Sequence, residues 1–476
     1  MTEHDCTVRE LVDGTLATPA ETLKPRLCDS DTGGDLHAQA ATSADALEAA
    51  VAAASRVHTE ESWTGLPLAD RAAAVRRLAA ELSVRADRLA AADSLDTGVP
   101  LTWTTALVGG RVGLLEQAAA DLEAGWERTE LTSAVGPADQ WRLPWGPAAV
   151  LLPWNAPAPT VVTKTVDALL AGCPVVVKAS EWAPHFSGPF AEAVQAAGLA
   201  AGLVQVVHGG REVGEALVTD PRVRAVSYTG GVAGGTEVAR ACAAQLKPAD
   251  LELSGNNPVL ALPDADPAEV AAEVAFGLQL LNGQVCVGPR RLVVPADRLD
   301  DHLAALDAAL ADVMLGRTDD PATTTGPLAH PGHRAHLERQ VAAYAALGCD
   351  VRRYGTLPDG EGLFLQPTVV LADRGASLRD EVFGPVLLVR TYGDLDEAVA
   401  SANDHAYGLV GYVFGADRDQ ARAVGRRLRA GLVTVNAVLR SGSDAPAVGS
   451  MWGASGLGTV GDGQGPAFFA GHRFVG

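Results

Sequence analysis

The chain is short of lysine, methionine and aromatic residues, and it has no long apolar run. Only four of its 37 basic residues are lysine (Lys24, Lys164, Lys178 and Lys247). Where arginine is so strongly preferred, a lysine marks a position wanting a compact ammonium, or a codon that survived by chance. No stretch approaches the roughly 18 uninterrupted apolar residues of a membrane span. Met1-Thr2-Glu3-His4-Asp5 carries no basic segment followed by an apolar one, so the expectation is a cytoplasmic protein without secretory leader or membrane contact. Six cysteines (Cys6, Cys28, Cys173, Cys242, Cys286, Cys349) form no CxxC pair, which disfavours a disulfide framework and a zinc site. Acidic residues outnumber basic ones, 58 to 37, and the net charge of −21 disfavours nucleic acid as a partner. Such a charge could attract a cationic substrate, but a well-solvated surface is the preferred reading.

What is present suits a globular enzyme: 47% hydrophobic and 20% charged residues, in a chain of 476 that is too long for one compact core. Residues 1–40 are polar and turn-rich and predict a loosely built lead-in. Alanine-rich amphipathic patterns predict helices over 44–55, 68–82 and 86–95, and another over 101–125. From Ala148 short apolar runs at 148–152, 174–178, 204–207, 224–228 and 250–253 alternate with helical patterns such as 160–170 and 189–197. That texture predicts a parallel sheet covered by helices, with ligands beyond the carboxyl ends of its strands. A second α/β stretch begins near Arg291, with strands expected at 291–294, 386–391, 410–414 and 431–436. The polar segment 126–141 and the tail from Gly461, with Phe468, Phe469 and Phe474, are expected to leave the first domain and dock against another subunit.

Several motifs fall at the predicted strand ends. Cys286 stands in Asn282-Gly283-Gln284-Val285-Cys286, and Glu252 in Leu251-Glu252-Leu253-Ser254-Gly255. A thiol nucleophile, and a carboxylate able to activate the water that cleaves a thioester, are the parts of covalent aldehyde chemistry. Asn155, in Pro153-Trp154-Asn155-Ala156-Pro157, offers an amide to an oxygen gaining negative charge, or is simply a turn residue between prolines. Lys178 and Glu181, in Val177-Lys178-Ala179-Ser180-Glu181, suit ribose hydroxyls or form an exposed ion pair. Tyr228-Thr229-Gly230-Gly231-Val232 is a glycine-rich turn into a helix, with neither the GxGxxG nor the Walker spacing. His330, His333 and His336 lack accompanying carboxylates or cysteines, so they read as a solvated helix face and no metal site is expected.

The order of these motifs resembles the NAD(P)-dependent aldehyde dehydrogenase superfamily over nearly the whole chain. Also matching are Glu381-Val382-Phe383-Gly384-Pro385, Asn403 with Tyr407-Gly408-Leu409, and Ser455-Gly456-Leu457-Gly458. The resemblance implies a Rossmann-like NAD-binding domain (1–125 and 144–253), a second α/β catalytic domain (254–448), and a small β bridging element for oligomerisation (126–143 and 459–476), in a homodimer or homotetramer. It implies that Cys286 attacks the aldehyde, that Asn155 and the Cys286 N–H hold the oxyanion, that Glu252 activates water, and that Lys164 supports the site electrostatically. By the same resemblance Trp154, Lys178, Ser180, Glu181, Thr229, Gly230, Gly231, Leu253, Glu381 and Phe383 bind the cofactor. Glu181 at a ribose would repel a 2′-phosphate, which favours NAD over NADP.

Departures from the family pattern bear on the substrate. Ala156 replaces the usual aromatic, and Thr160 and Thr163 replace bulkier residues. Trp452 follows Val448-Gly449-Ser450-Met451 where Pro-Phe-Gly-Gly is usual, and Val285 and Val287 flank the nucleophile. If these residues line the substrate tunnel, as the resemblance implies, a bulky apolar or aromatic aldehyde is expected. A CoA-acylating dehydrogenase, or a catalytically silent binding protein on the same fold, are the alternatives. The presence of both Cys286 and Glu252 counts against them.

Overall fold

The computed structural model describes residues 7–372, 377–438, 448–461 and 465–476; Met1 to Asp5 and Cys6 lie outside the described residues. Two sheets organise the chain. The first has eight strands in the order Thr15–Ala17, Glu10–Val12, Val204–Val207, Val175–Lys178, Ala148–Leu151, Ala225–Thr229, Ala249–Glu252, Gly456–Leu457. Its five central strands are parallel and almost wholly buried, because helices such as Pro157–Ala171 and Val232–Ala243 connect them. Strands covered on both faces read as continuous apolar runs rather than alternation, which is why Val175–Lys178 is Val-Val-Val-Lys. The chain starts at Ala148–Leu151, steps outward twice in one direction, and returns to Ala225–Thr229 on the other side. The reversal leaves a crevice beyond the carboxyl ends of those two strands.

The N-terminal segment is not the loose lead-in expected from its composition. Glu10–Val12 pairs antiparallel with the sheet edge through Leu11 and Val206, and Glu21–Cys28 pairs with Asp35–Ala41. Leu11 is buried in the main core, so tertiary pairing orders strands too short for any periodicity to reveal. The helix expected over 101–125 is two helices, Leu101–Val112 and Leu114–Glu123, parted at Gly113 just after the Gly109-Gly110 pair. Each glycine weakens a helix by about 1 kcal/mol relative to alanine.

The second sheet runs Asp350–Arg353, Thr368–Leu371, Val386–Tyr392, Pro289–Pro295, Asn257–Ala261, Val410–Phe414, Leu432–Val435, parallel apart from its first edge strand. Asn257–Ala261 is central yet escaped the sequence reading because it contains Pro258. The register shifts between Asn257 and Pro258, so a bulge absorbs the missing N–H. A third, antiparallel sheet joins Arg128–Ser133, Gly136–Pro144 and the tail strand Ala470–Val475. Part of the tail's aromatic surface is used within the chain. Phe469 is fully buried and the Trp145 indole N–H donates to the Phe468 carbonyl, while Phe474 remains 58% exposed.

Candidate active site

Glu252 ends the last parallel strand of the first sheet, and a short linker leads to the Asn257–Ala261 strand of the second. The nucleophile loop lies against this junction. Leu281, Asn282 and Gly283 all have positive φ (52°, 55° and 70°). Only glycine adopts that region freely, with asparagine next best, and a Cβ on Gly283 would overlap the Gly384–Pro385 backbone. Side chains hold the strained loop in place. Asn282 Nδ2 donates to the Gly98 and Pro327 carbonyls (2.8 Å each) and its Oδ1 accepts from Gly326 N. Gln284 Nε2 donates to Thr97 O (3.0 Å) and its Oε1 accepts from Ala329 N. The buried Arg290 guanidinium donates to the Gly283, Val285 and Gly384 carbonyls. Asn257 Nδ2 donates to the carbonyl of Cys286 itself (2.8 Å).

The result brings three groups together. Cys286 Sγ donates to Glu252 Oε1 at 3.5 Å, and Asn155 Nδ2 donates to the Gln284 carbonyl at 2.8 Å. One amide proton of Asn155 is thereby committed beside the nucleophile, and a primary amide has a second to give. Burial, and then the adjacent Glu252 carboxylate, push the Cys286 thiol well above the ordinary thiol range. Asp250 precedes Glu252 by two residues, so both carboxylates share a face of the strand. Lys164 Nζ lies 2.8 Å from Asp250 Oδ2. Burial pulls the Lys164 ammonium down, but Asp250, Glu252 and Asp167 outweigh it and raise its pKa. Burial chiefly, with Asp250, pushes Asp167 up to about 7 against the pull of Lys164 and Arg111.

Of the residues assigned to the cofactor, Trp154, Lys178, Ser180, Glu181, Thr229, Gly230, Gly231 and Leu253 stand at or just after the carboxyl ends of first-sheet strands, and Glu381 and Phe383 precede the Val386–Tyr392 strand of the second sheet. Lys178 Nζ meets Glu181 Oε2 at 3.1 Å, and Ser180 Oγ accepts from Trp182 N. Thr229 ends its strand, and Gly231 caps the Val232–Ala243 helix. A Cβ on Gly231 would stand in open space, whereas one on Gly230 or Gly234 would overlap the Tyr228 hydroxyl, so the tyrosine ring lies against this turn. Leu253 is buried beside Glu252. Glu381 Oε1 accepts from Gly255 N, and burial raises its carboxyl against the opposing charge of Arg290. Trp154 and Phe383 meet edge to face at 5.6 Å. An ammonium–carboxylate pair just after one parallel strand and a glycine turn leading from another into a helix N-terminus are groups that suit a dinucleotide.

His330 and His333 do not lie on a solvated face. His330 stacks on Trp182 (4.4 Å), and His333 packs on Trp154 (4.9 Å) and Phe383. Burial lowers His330 to about 4 and His333 to about 3, so both rings are neutral at pH 7. His336 alone is exposed. Four-residue helical periodicity could not show that the buried side of this helix faces other aromatics.

Of the residues assigned to the tunnel, Ala156, Val285 and Val287 fall in one apolar cluster with Val99, Leu280 and Leu281. Thr160 and Thr163 are half-buried, and their hydroxyls donate to the Ala156 and Pro159 carbonyls of their own helix. Trp452 is not brought to this cluster: it is 54% exposed and its backbone N–H donates to the Gly408 carbonyl (3.2 Å). Trp103 and Leu107 complete the cluster and were missed. Their spacing, i and i+4 just after Pro100, was visible, but nothing local says what they face. Asn257 and Arg290, which fix the loop through backbone carbonyls, were missed for the same reason.

The aldehyde dehydrogenase family profile matches residues 20–474. Geranial dehydrogenase of Castellaniella defragrans is 34% identical, with 89% of this chain and 90% of that protein covered. Betaine aldehyde dehydrogenase of Rhizobium leguminosarum is 32% identical over 90% and 88%. The crystal structure of a mutant aldehyde dehydrogenase C from Pseudomonas syringae with NAD+ and octanal superposes with a TM-score of 0.90 at 28% identity, covering 100% of this chain and 98% of that one. Fold, profile and relatives agree: the chain belongs to the aldehyde dehydrogenase family.

Proposed function

We propose that the protein oxidises a bulky, apolar or aromatic aldehyde to its carboxylic acid with NAD, through a thioester on Cys286. The observation that carries this is the 3.5 Å approach of the Cys286 thiol to Glu252, with the Asn155 amide at the Gln284 carbonyl. The thiol adds to the aldehyde carbon and passes its proton to Glu252. The developing oxyanion accepts hydrogen bonds from the free Asn155 N–H and the Cys286 N–H, and loss of one such donor typically costs about 10²–10³ in rate. NAD, when bound, supplies the hydride acceptor that turns the resulting adduct into a thioester. Glu252, having released its proton, then draws one from a water that attacks the thioester carbon, and the acid and free thiol are restored. Lys164 and Asp250 form the charged floor beneath Glu252.

Lys178 and Glu181 would hold the adenosine ribose, Glu381 the other ribose, and Trp154 and Phe383 the nicotinamide side. Glu181 supports NAD over NADP by repelling a 2′-phosphate. The same reading divides the chain into an NAD-binding domain (1–125 and 144–253), a catalytic domain (254–448) and a bridging element (126–143 and 459–476). Exposed Leu131, Phe474 and Val475 on the three-stranded sheet support pairing of that element with another copy. The five described cysteines are all free, which suits a reducing cytoplasm. The test is NADH formation from an aldehyde panel, with and without CoA. Acid must be the product without CoA, and Cys286→Ala must abolish it; turnover surviving that change ends the proposal.

A further inference from the structure

The turn that carries Lys178 and Glu181 runs on to His185, just before the Ser187–Ala196 helix. His185 is held at its backbone and at its ring: N donates to Asp96 Oδ2 (2.9 Å), and Nδ1 is bonded to Asp96 Oδ1. Both side chains are almost wholly buried, with 3% and 2% exposed. Asp96 directly precedes Thr97 and Gly98, whose carbonyls accept from Gln284 Nε2 (3.0 Å) and Asn282 Nδ2 (2.8 Å) of the nucleophile loop. One carboxylate therefore lies between the turn assigned to the cofactor and the support of Cys286. A third side chain extends the contact outward. His185 Nε2 stands 2.8 Å from Nε2 of the half-buried His37 on the Asp35–Ala41 strand, and His37 Nδ1 stands 2.8 Å from Ala38 O. Two nitrogens on one tetrahedral zinc ion, with bonds of about 2.0–2.1 Å, would be roughly 3.3 Å apart. The observed 2.8 Å is the spacing of a hydrogen bond.

These contacts fix a proton count. A carbonyl oxygen only accepts, so His37 Nδ1 carries a hydrogen; one more lies between the two Nε2 atoms, and another between His185 Nδ1 and Asp96. Three bonds take three protons, and two neutral imidazoles beside an ionised carboxylate supply two. We propose that Asp96, His185 and His37 hold the third proton among them, and that it fastens the cofactor turn to the support of the nucleophile loop. The proposal rests on the aldehyde oxidation above for the roles of Lys178, Glu181 and Cys286, and it makes Asp96 and His185 positioning residues. Loaded, the trio is neutral as a whole. When the proton leaves to solvent through half-buried His37, two lone pairs face each other across the Nε2 contact. Asp96 also loses its counter-charge, which a buried carboxylate does not tolerate without movement or entry of water. Asp93, one turn earlier on the same helix, is pushed up to about 8 chiefly by burial, and His208 is pulled down to about 4 chiefly by burial, with Lys178 and His185 adding to it. On the edge strands, burial raises Glu10, which accepts from Thr42 Oγ1, and Asp35 pairs with Arg26. Asp93 ionises in the range used below in parent and variant alike, so comparison between them isolates the trio.

The experiment compares dissociation constants for NAD, read by quenching of tryptophan fluorescence, at about pH 6.5 and about pH 9. The parent protein should bind about tenfold more weakly at the higher pH, the scale of one charge-assisted hydrogen bond. Asp96→Asn offers its own N–H to His185 Nδ1 and still accepts from His185 N, so all three bonds form with two neutral rings. Its constant should therefore change by less than about threefold over the same range. His37→Ala removes the bond that calls for the third proton and should flatten the profile likewise, from the half-buried side. Asp96→Ala opens the connection at both pH values, with His185→Phe as the ring-preserving alternative if alanine does not fold. Either should raise the KM for NAD and lower kcat together, by about tenfold each, and Asp96→Asn should keep both near the parent values. A constant that does not change with pH in the parent, or a change that survives either Asp96→Asn or His37→Ala, overturns the shared proton. A raised KM with unaltered kcat in the Asp96→Ala or His185→Phe enzyme overturns the link to the nucleophile loop. Failure of NAD to bind at either pH, or of every aldehyde to yield NADH, brings down the oxidation reading instead.

Discussion

Replacing Asn282 with alanine tests whether side-chain hydrogen bonds hold the nucleophile loop in its left-handed conformation. The asparagine makes three buried bonds, to Gly98 O, Pro327 O and Gly326 N, each 2.8 Å. A buried hydrogen bond contributes about 1 kcal/mol net, and an orphaned buried partner costs about 1–3 kcal/mol. Alanine at φ 55° adds roughly 1 kcal/mol of backbone strain. The expected loss is therefore about 4–6 kcal/mol, read as a lowered urea midpoint at unchanged slope. Asn282→Gly removes the same bonds without the strain and should recover about 1 kcal/mol of the loss. Activity should fall further than cofactor affinity, because the loop carries Cys286 and the Lys178–Glu181 pair lies on a different element. A loss below about 1 kcal/mol, with kcat/KM unaltered, would show that the loop is held by other means.

Glu252→Gln should slow steady-state turnover by about 10²–10⁴, since the carboxylate that takes the thiol proton and then activates water is lost, and an unchanged rate would remove Glu252 from both steps. Removing the carboxylate that helps to raise the Cys286 thiol should also move the acylation pH profile to lower pH. Glu181→Ala should raise the NADP-to-NAD ratio of kcat/KM by about tenfold or more, and an unchanged ratio would remove the residue from cofactor selection. Asp93 is buried with its carboxyl pushed up to about 8, and Oδ1 accepts from Ala158 N at the start of the Pro157–Ala171 helix. An acid raised on folding binds more protons in the native state, so it costs stability as pH rises from about 4 to 8. Asp93→Asn keeps the acceptor and should flatten that slope, making the variant relatively more stable at pH 8 than at pH 5 in thermal melts.

Much of the first sheet was legible because doubly covered parallel strands announce themselves as apolar runs. The 204–207 strand matches residue for residue, and the other four central strands are displaced by one residue at one end or at both. The motifs at their carboxyl ends were legible because a parallel sheet collects those ends along one edge. What could not be read depends on long-range pairing. Glu10–Val12 exists because Val204–Val207 offers it an edge, and Asn257–Ala261 survives its proline through a bulge. The His330–Trp182 stack and the Trp103–Leu107 wall needed a partner surface that no local pattern encodes. The same holds for Arg290, which reads as an ordinary charged residue until its three carbonyl partners are in view.

The strand beside Glu252 comes from far along the polypeptide. Glu252 pairs with Gly456 and Leu251 with Leu457, and a Cβ on Gly456 would overlap the Leu251 carbonyl. During vectorial synthesis the ribosome therefore releases the five parallel strands long before this last neighbour emerges. Until then the edge carrying the carboxylate stays open and able to accept a foreign strand. Competence for catalysis therefore waits on a strand made long after Glu252, and a nascent chain stalled before Gly456 would present a nearly complete sheet with its most sensitive margin bare.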